Sequence, residues 1–317
     1  MRTNSKNGIP TIKARVLNIH RENRNMQIKT TRVQNSFLSM LFLMSFGAGI
    51  SQAAISACST TGTAITGYSG AGNGCATLDL SFANIVLSGA SSSGSFGTPT
   101  AASTNFFTTS TSFSGNTATP LTATFGPGTG ADWDGSTTGA TSALNMTITG
   151  SVTAHSSGTY NGGANSYTQP LAGYYWALTS IALNAAGTTS GGVGNSMAIT
   201  QTICLNTTAF SGGCGERYTL TATWGGAATS PTLGCAVVAG SGASCSGSRL
   251  LISPQTVTAI SFQTVVALNR VNGGVATLTS FSNTLDQSAQ TPEPGTFGML
   301  SAALVGLGVL AKRRKKA

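Results

Sequence analysis

The chain is 317 residues long and carries 16 Lys+Arg against 7 Asp+Glu, a formal net charge of +9, yet only 7% of it is charged. That share lies far below the roughly 25% of an ordinary soluble domain. Between residues 55 and 290 only Arg217, Arg249 and Arg270 face Asp79, Asp132, Asp134, Glu216 and Asp286, and there is no lysine, so the basic excess sits at the two ends. Such a body cannot neutralise a phosphate backbone, which excludes nucleic acid as a partner. The same scarcity of titratable groups removes most acid–base catalysis.

Residues 1–25 are polar, basic and unpatterned. They read as an over-called extension preceding a start at Met26, or as an unusually long leader. Residues 26–53 read as a secretory signal peptide with a helical apolar centre. Lys29 and Arg32 open it, 37–50 form the apolar run, and Ser51-Gln52-Ala53 offers small residues for cleavage between Ala53 and Ala54. Export through the Sec translocon follows. A second reading takes Ile55-Ser56-Ala57-Cys58, which is similar to a bacterial lipoprotein box and would lipidate Cys58. It would leave five cysteines in an oxidising compartment, an awkward odd number.

The exported body spans 54–290 and is rich in Gly, Ser, Thr, Ala and Asn. Several segments alternate with period two. In 143–155, Leu144, Met146, Ile148 and Val152 share one face, and threonines with His155 take the other. Tyr218, Leu220, Ala222 and Trp224 oppose Arg217, Thr219, Thr221 and Thr223. Met197, Ile199, Ile203 and Leu205 share a face interrupted by Gln201, and 78–82, 121–125 and 260–268 behave alike. This is the mark of half-buried antiparallel strands. Asn272-Gly273 predicts a hairpin joining 260–268 to 275–281. The glycine- and serine-rich stretches 89–103 and 184–195 predict long mobile loops. No helical period appears, so the expected fold is all-β: an antiparallel β-sandwich, jelly-roll-like, with long Gly/Ser/Thr loops.

All six cysteines, Cys58, Cys75, Cys204, Cys214, Cys235 and Cys245, lie in this body. Six cysteines allow fifteen connectivities. Sequential pairing is favoured because each successive pair brackets a glycine-rich turn. Metal ligation is not expected, since no CxxC occurs and His155 is the only histidine of the body. Nothing in the sequence asks for a cofactor.

Three constellations invite chemistry. His155 with Asp132 or Asp134 makes a triad on paper, but His155 falls on the threonine face and no GxSxG surrounds a serine, so an exposed structural histidine is the favoured reading. Asp132-Trp133-Asp134-Gly135 is a partial likeness of a calcium loop without further acidic ligands, better read as a turn. Tyr174-Tyr175-Trp176 could stack on sugars, but core packing is favoured for it and for Trp133 and Trp224. No catalytic residue and no metal ligand is assigned.

The C-terminal segment 291–317 begins Thr291-Pro292-Glu293-Pro294, continues as an apolar stretch over 296–311, and ends in Lys312, Arg313, Arg314, Lys315 and Lys316. Sixteen residues of helix reach about 24 Å, short of a ~30 Å hydrocarbon core unless the basic stems snorkel. The basic cluster would stay cytoplasmic by the positive-inside rule, with the body on the other side. Motif, transmembrane helix and basic cluster in this order resemble the PEP-CTERM sorting signal of Gram-negative bacteria. The resemblance implies processing by an exosortase, an inner-membrane-anchored precursor, and release to the cell surface or the exopolysaccharide matrix. It covers the tail alone and says nothing of the body.

The expectation is therefore a non-enzymatic structural or adhesive protein whose partners are the exosortase, the Sec translocon, the cytoplasmic membrane before processing, and exopolysaccharide. The alternatives are a secreted polysaccharide-acting hydrolase or carbohydrate-binding module, and an outer-membrane β-barrel.

Overall fold

The computed structural model describes residues 56–290, less 69–73, 78, 110–112, 115–116, 129–132, 135–140, 156–159, 163–164, 168–174, 192–193, 254–255 and 272, together with 302–305. The chain divides into two units, Met1–Gln52 and Ala53–Ala317, of which the first lies outside the described residues.

The strands begin with β1 (Ser56–Ala57), β2 (Thr63–Ala64), β3 (Gly74–Ala76), β4 (Leu80–Ser93), β5 (Thr104–Thr108), β6 (Phe113–Ser114) and β7 (Thr117–Ala118). They continue with β8 (Leu121–Pro127), β9 (Ser142–Ala154), β10 (Tyr160–Gly162), β11 (Asn165–Tyr167), β12 (Tyr175–Ser190) and β13 (Ser196–Leu205). The last are β14 (Arg217–Gly225), β15 (Thr232–Ala239), β16 (Ala243–Ser246), β17 (Arg249–Ile252), β18 (Ala259–Arg270) and β19 (Val275–Gln290). Among the described residues they form an eight-stranded sheet, ordered β1-β3-β4-β9-β18-β13-β14-β15, and a nine-stranded sheet built on β16-β17-β12-β19-β8-β5-β2. A separate hairpin joins β10 to β11. All pairings are antiparallel except the two-residue β1–β3 contact.

The fold is thus all-β and sandwich-like, with one apolar core whose side chains come from both sheets. Phe82 and Phe262 of the first sheet meet Phe106 and Phe125 of the second, with ring centroids 5.3 and 6.3 Å apart. Within the second sheet Phe125 also lies 5.0 Å from Phe106 and 5.1 Å from Phe281, and Trp133 stacks beyond Phe281 at 6.4 Å. Gly150 makes this possible: it sits opposite Phe262 in the ladder, and a Cβ there would stand 2.6 Å from the ring. Glycine in mid-strand normally weakens a sheet, but here the aromatic ring fills the space its missing side chain leaves.

Three expectations are corrected. Of the stretches 89–103 and 184–195, expected as long loops, 89–93 and 184–190 are strand, while 94–103 is the loop that joins β4 to β5. β4 runs on to Ser93 against β9, and β12 runs on to Ser190 against β19, for example Asn184 opposite Ser282 and Thr188 opposite Thr277. Small residues carry little strand propensity of their own, but a paired neighbour supplies the hydrogen bonds that hold them. The turn after β4 is pinned as well, through the Ser95 N–H on Ser142 Oγ at 3.0 Å and the buried Phe96. The Asn272-Gly273 hairpin does not form either, because β18 is flanked by β9 and β13 while β19 is flanked by β12 and β8. The chain passes from one sheet to the other between Arg270 and Val275. Buried Asn195 holds that corner, accepting the Val271 N–H at 2.8 Å and donating to the Ser190 carbonyl at 2.6 Å.

The expected N-terminal signal helix lies outside the described residues. Of the apolar stretch 296–311, residues 302–305 are described; they are helical, with Leu304 and Val305 exposed. Among the described residues, no helix is long and apolar enough to cross a membrane.

Candidate functional site

The cysteines form the three sequential disulfides Cys58–Cys75, Cys204–Cys214 and Cys235–Cys245, with Cα separations of 4.7, 6.0 and 5.6 Å. Disulfides persist in oxidising compartments, which places the body outside the cytoplasm. The Cys58 sulfur is committed to Cys75, leaving none for a lipid thioether, so the lipoprotein-box alternative falls. Cys204–Cys214 closes the turn between β13 and β14. Cys235–Cys245 joins an edge strand of the first sheet to an edge strand of the second, a staple between layers. Replacing Cys235 and Cys245 together by serine is expected to cost about 2–3 kcal/mol, read by urea denaturation.

Glu216 and Tyr218 hold the crossing between β15 and β16. The Glu216 carboxylate accepts the Tyr218 hydroxyl at 2.6 Å and the Gly242 and Ser241 N–H groups at 2.8 and 3.3 Å. The Tyr218 oxygen in turn accepts the Ala243 N–H at 2.9 Å. Gly240 is required at this turn, with φ of +94° and the Glu216 side chain where its Cβ would be. The Tyr218 hydrogen bond, then those of the loop N–H groups, holds Glu216 below the usual carboxylate range. Burial and then the Glu216 carboxylate push the Tyr218 phenol up to about 12. A phenol raised in the fold stabilises fully below its ordinary value near 10 and loses that contribution as pH rises toward 12. Stability should therefore fall through that alkaline window, and Tyr218→Phe should remove the fall while costing about 2 kcal/mol at neutral pH. Equilibrium unfolding across the range checks both.

The structure separates His155 from Asp134. His155 closes β9, its backbone N–H on the Asp79 carbonyl at 2.9 Å and its carbonyl accepting the Trp176 N–H at 3.2 Å. Asp134 bridges Thr277, whose hydroxyl donates to it at 2.5 Å. Trp176 pairs with Ala289 and Thr277 with Thr188, opposite ends of one ladder. Twelve residues of strand put them roughly 40 Å apart. His155 is not the exposed histidine expected from its alternation. It is half-buried, and that burial drives its imidazole down to about 4, partly opposed by a hydrogen bond to the Leu80 backbone. Asp132 and Gly135 lie outside the described residues.

Trp133, Trp176 and Trp224 are all buried, as their core reading anticipated, and Tyr175 is half-buried; Tyr174 is outside the described residues. Gln201, the polar interruption, points into the core and donates to the equally buried Thr264 at 3.0 Å. The sorting motif Pro292, Glu293 and Pro294, the basic anchor Lys312, Arg313, Arg314, Lys315 and Lys316, and the cleavage pair Ala53 and Ala54 lie outside the described residues. Among the described residues no group of three or more His, Cys, Asp or Glu is placed to hold a metal.

What remains is surface. On the first sheet the outward side chains of five neighbouring strands fall into rows. Thr219, Thr202, Gln263 and Thr149 stand side by side across β14, β13, β18 and β9. Thr221, Thr200, Val265, Thr147 and Ser88 form the next row, which reaches β4. Rows of this kind repeat at ~4.8 Å across strands and ~6.7 Å along them. The only charged residues of these five strands are Arg217, at the first position of β14, and Arg270, buried at the end of β18. On the second sheet the outer face carries an ion pair, Arg249 to Asp286 at 3.1 Å, with Ser180 donating to the same carboxylate.

No family model matches this chain, and no curated protein matches it.

Proposed function

We propose that this chain is a non-enzymatic component of a bacterial cell surface or exopolysaccharide matrix, exported, held in the inner membrane by its tail and cut by an exosortase. The observation that carries the structural role is the outward threonine face, broad and without a charged centre. Supporting the sorting route are the Pro-Glu-Pro motif, the apolar stretch and the basic cluster of 291–317, together with disulfides suited to an exported body. Apolar side chains point between the sheets and threonines point outward, the reverse of the pattern a membrane barrel needs. The finer architecture we read as a β-sandwich with jelly-roll character. β12 nests with β19 and β13 with β18 in opposite sheets, while β14 and β17 leave jelly-roll order by lying in different sheets.

Intact-mass measurement of the protein recovered from the cell exterior tests the route. The expected species lacks residues 1–53 and the Lys312–Lys316 cluster. An external species retaining that cluster would contradict it.

A further inference from the structure

We propose that the outer face of the eight-stranded sheet, centred on Thr200, Thr221 and Thr147, is a docking surface for neutral, uncharged polysaccharide chains. This deepens the matrix reading and rests on it.

Three features of the face point to that partner. First, Thr200 is exposed, with half-exposed Thr221 on one side and exposed Val265 then half-exposed Thr147 on the other, and no carboxylate or cation stands among them. A uronate or sulfated chain would find no counter-charge between these threonines, the outward Arg217 standing four residues along β14 from Thr221, and would give up hydration without compensation there. A neutral chain meets no such cost. Second, each threonine offers a hydroxyl that both donates and accepts, beside a methyl group. Its χ1 is stiff, so little rotamer entropy is lost when a partner settles. Sugar rings present the same mixture, hydroxyls at the rim and C–H on the faces. Third, the groups repeat in two directions on a pleated surface, so the matching partner is itself repetitive and is held by many weak contacts at once. These rows contain no aromatic side chain, so ring stacking is not the mode of contact.

The test uses the mature protein recovered from the cell exterior, with microcrystalline cellulose and dextran as neutral probes and alginate as the anionic one. The native protein should co-sediment with cellulose, or be retarded by dextran in affinity electrophoresis, equally at low and high salt. Retention on alginate should be at least tenfold weaker. Thr200→Lys and Thr200→Glu should each weaken neutral binding at least tenfold, whereas Asn184→Lys on the outer face of the other sheet should not. Matching unfolding midpoints for the four proteins would show that the losses are local.

Three results would overturn the assignment. One is equal loss from Thr200→Lys and Asn184→Lys. Another is binding that collapses with salt. The third is no neutral binding at all, whether the face instead joins two copies, seen as a dimer that Thr200→Lys dissociates, or arrests ice recrystallisation. If a deletion strain nonetheless loses biofilm cohesion and the Thr200→Lys chain restores it, the surface is wrongly assigned while the matrix role stands.

Discussion

Replacing Phe125 by alanine is expected to lower the unfolding free energy by about 4 kcal/mol, close to the upper limit for one side chain. Phe125 is 1% exposed and meets Phe106, Phe262 and Phe281, so it touches both sheets at once. Truncation removes a ring's worth of buried apolar surface and leaves a void lined by rings that the ladders hold in place. The surroundings cannot collapse into it, because Phe106, Phe262 and Phe281 belong to strands paired on both edges. Phe125→Leu fills much of the volume and should cost roughly half as much. Urea unfolding of both variants measures this. A loss below about 1 kcal/mol for the alanine variant would mean that the two sheets do not share this core.

Acid should weaken the fold chiefly through His155. Its imidazole titrates near 6.5 in the unfolded chain and at about 4 in the fold, where burial disfavours the charged form. A group whose value is depressed in the fold contributes fully above its unfolded value and loses that contribution as pH falls to the folded one. The difference corresponds to about 3 kcal/mol, lost between pH 6.5 and about 4. Glu216, whose carboxyl is also held down, adds its own loss as pH falls further. Asp79, buried on the adjoining segment, accepts the His155 N–H with its backbone carbonyl. His155→Gln should flatten the limb between pH 6.5 and 4 while leaving the lower limb in place. An unchanged limb in that variant would assign the acid sensitivity elsewhere.

The strands most legible in the sequence were those with one apolar face. Leu144 to Val152, Tyr218 to Trp224 and Met197 to Leu205 alternate because one side meets the core and the other meets water, and the alternation survives even where Gln201 breaks it. The longest strands were harder. The ends of β4 and β12 are built from Ser, Ala, Asn and Gly, which read as loop because their extended state is imposed by the neighbouring strand rather than by their own side chains. Asn272-Gly273 misled for a related reason. A turn signal reports local backbone freedom, not which strands have an edge to spare. The disulfide partners were readable because glycine-rich turns bring successive cysteines back on themselves. The threonine face was only half legible. Period two shows that threonines point outward, but the register that lines up Thr221, Thr200 and Thr147 across separate strands is a property of the sheet. His155 was misplaced because alternation assigns a face and not a depth, and the end of β9 is covered by the start of β12. The network of Glu216, Tyr218 and the 241–243 backbone left no sequence signal, since its partners lie more than twenty residues apart.

The proposed role is that of a cohesive element of the cell exterior and not of a catalyst. The most direct measurement is the shear stress needed to disperse biofilm formed by a strain lacking the chain, with growth on soluble nutrients followed in parallel. Easier dispersal, unchanged growth, and restoration by the full-length chain are expected. Unchanged cohesion, together with turnover of a polysaccharide by the purified mature protein, would contradict it and make the chain a hydrolase.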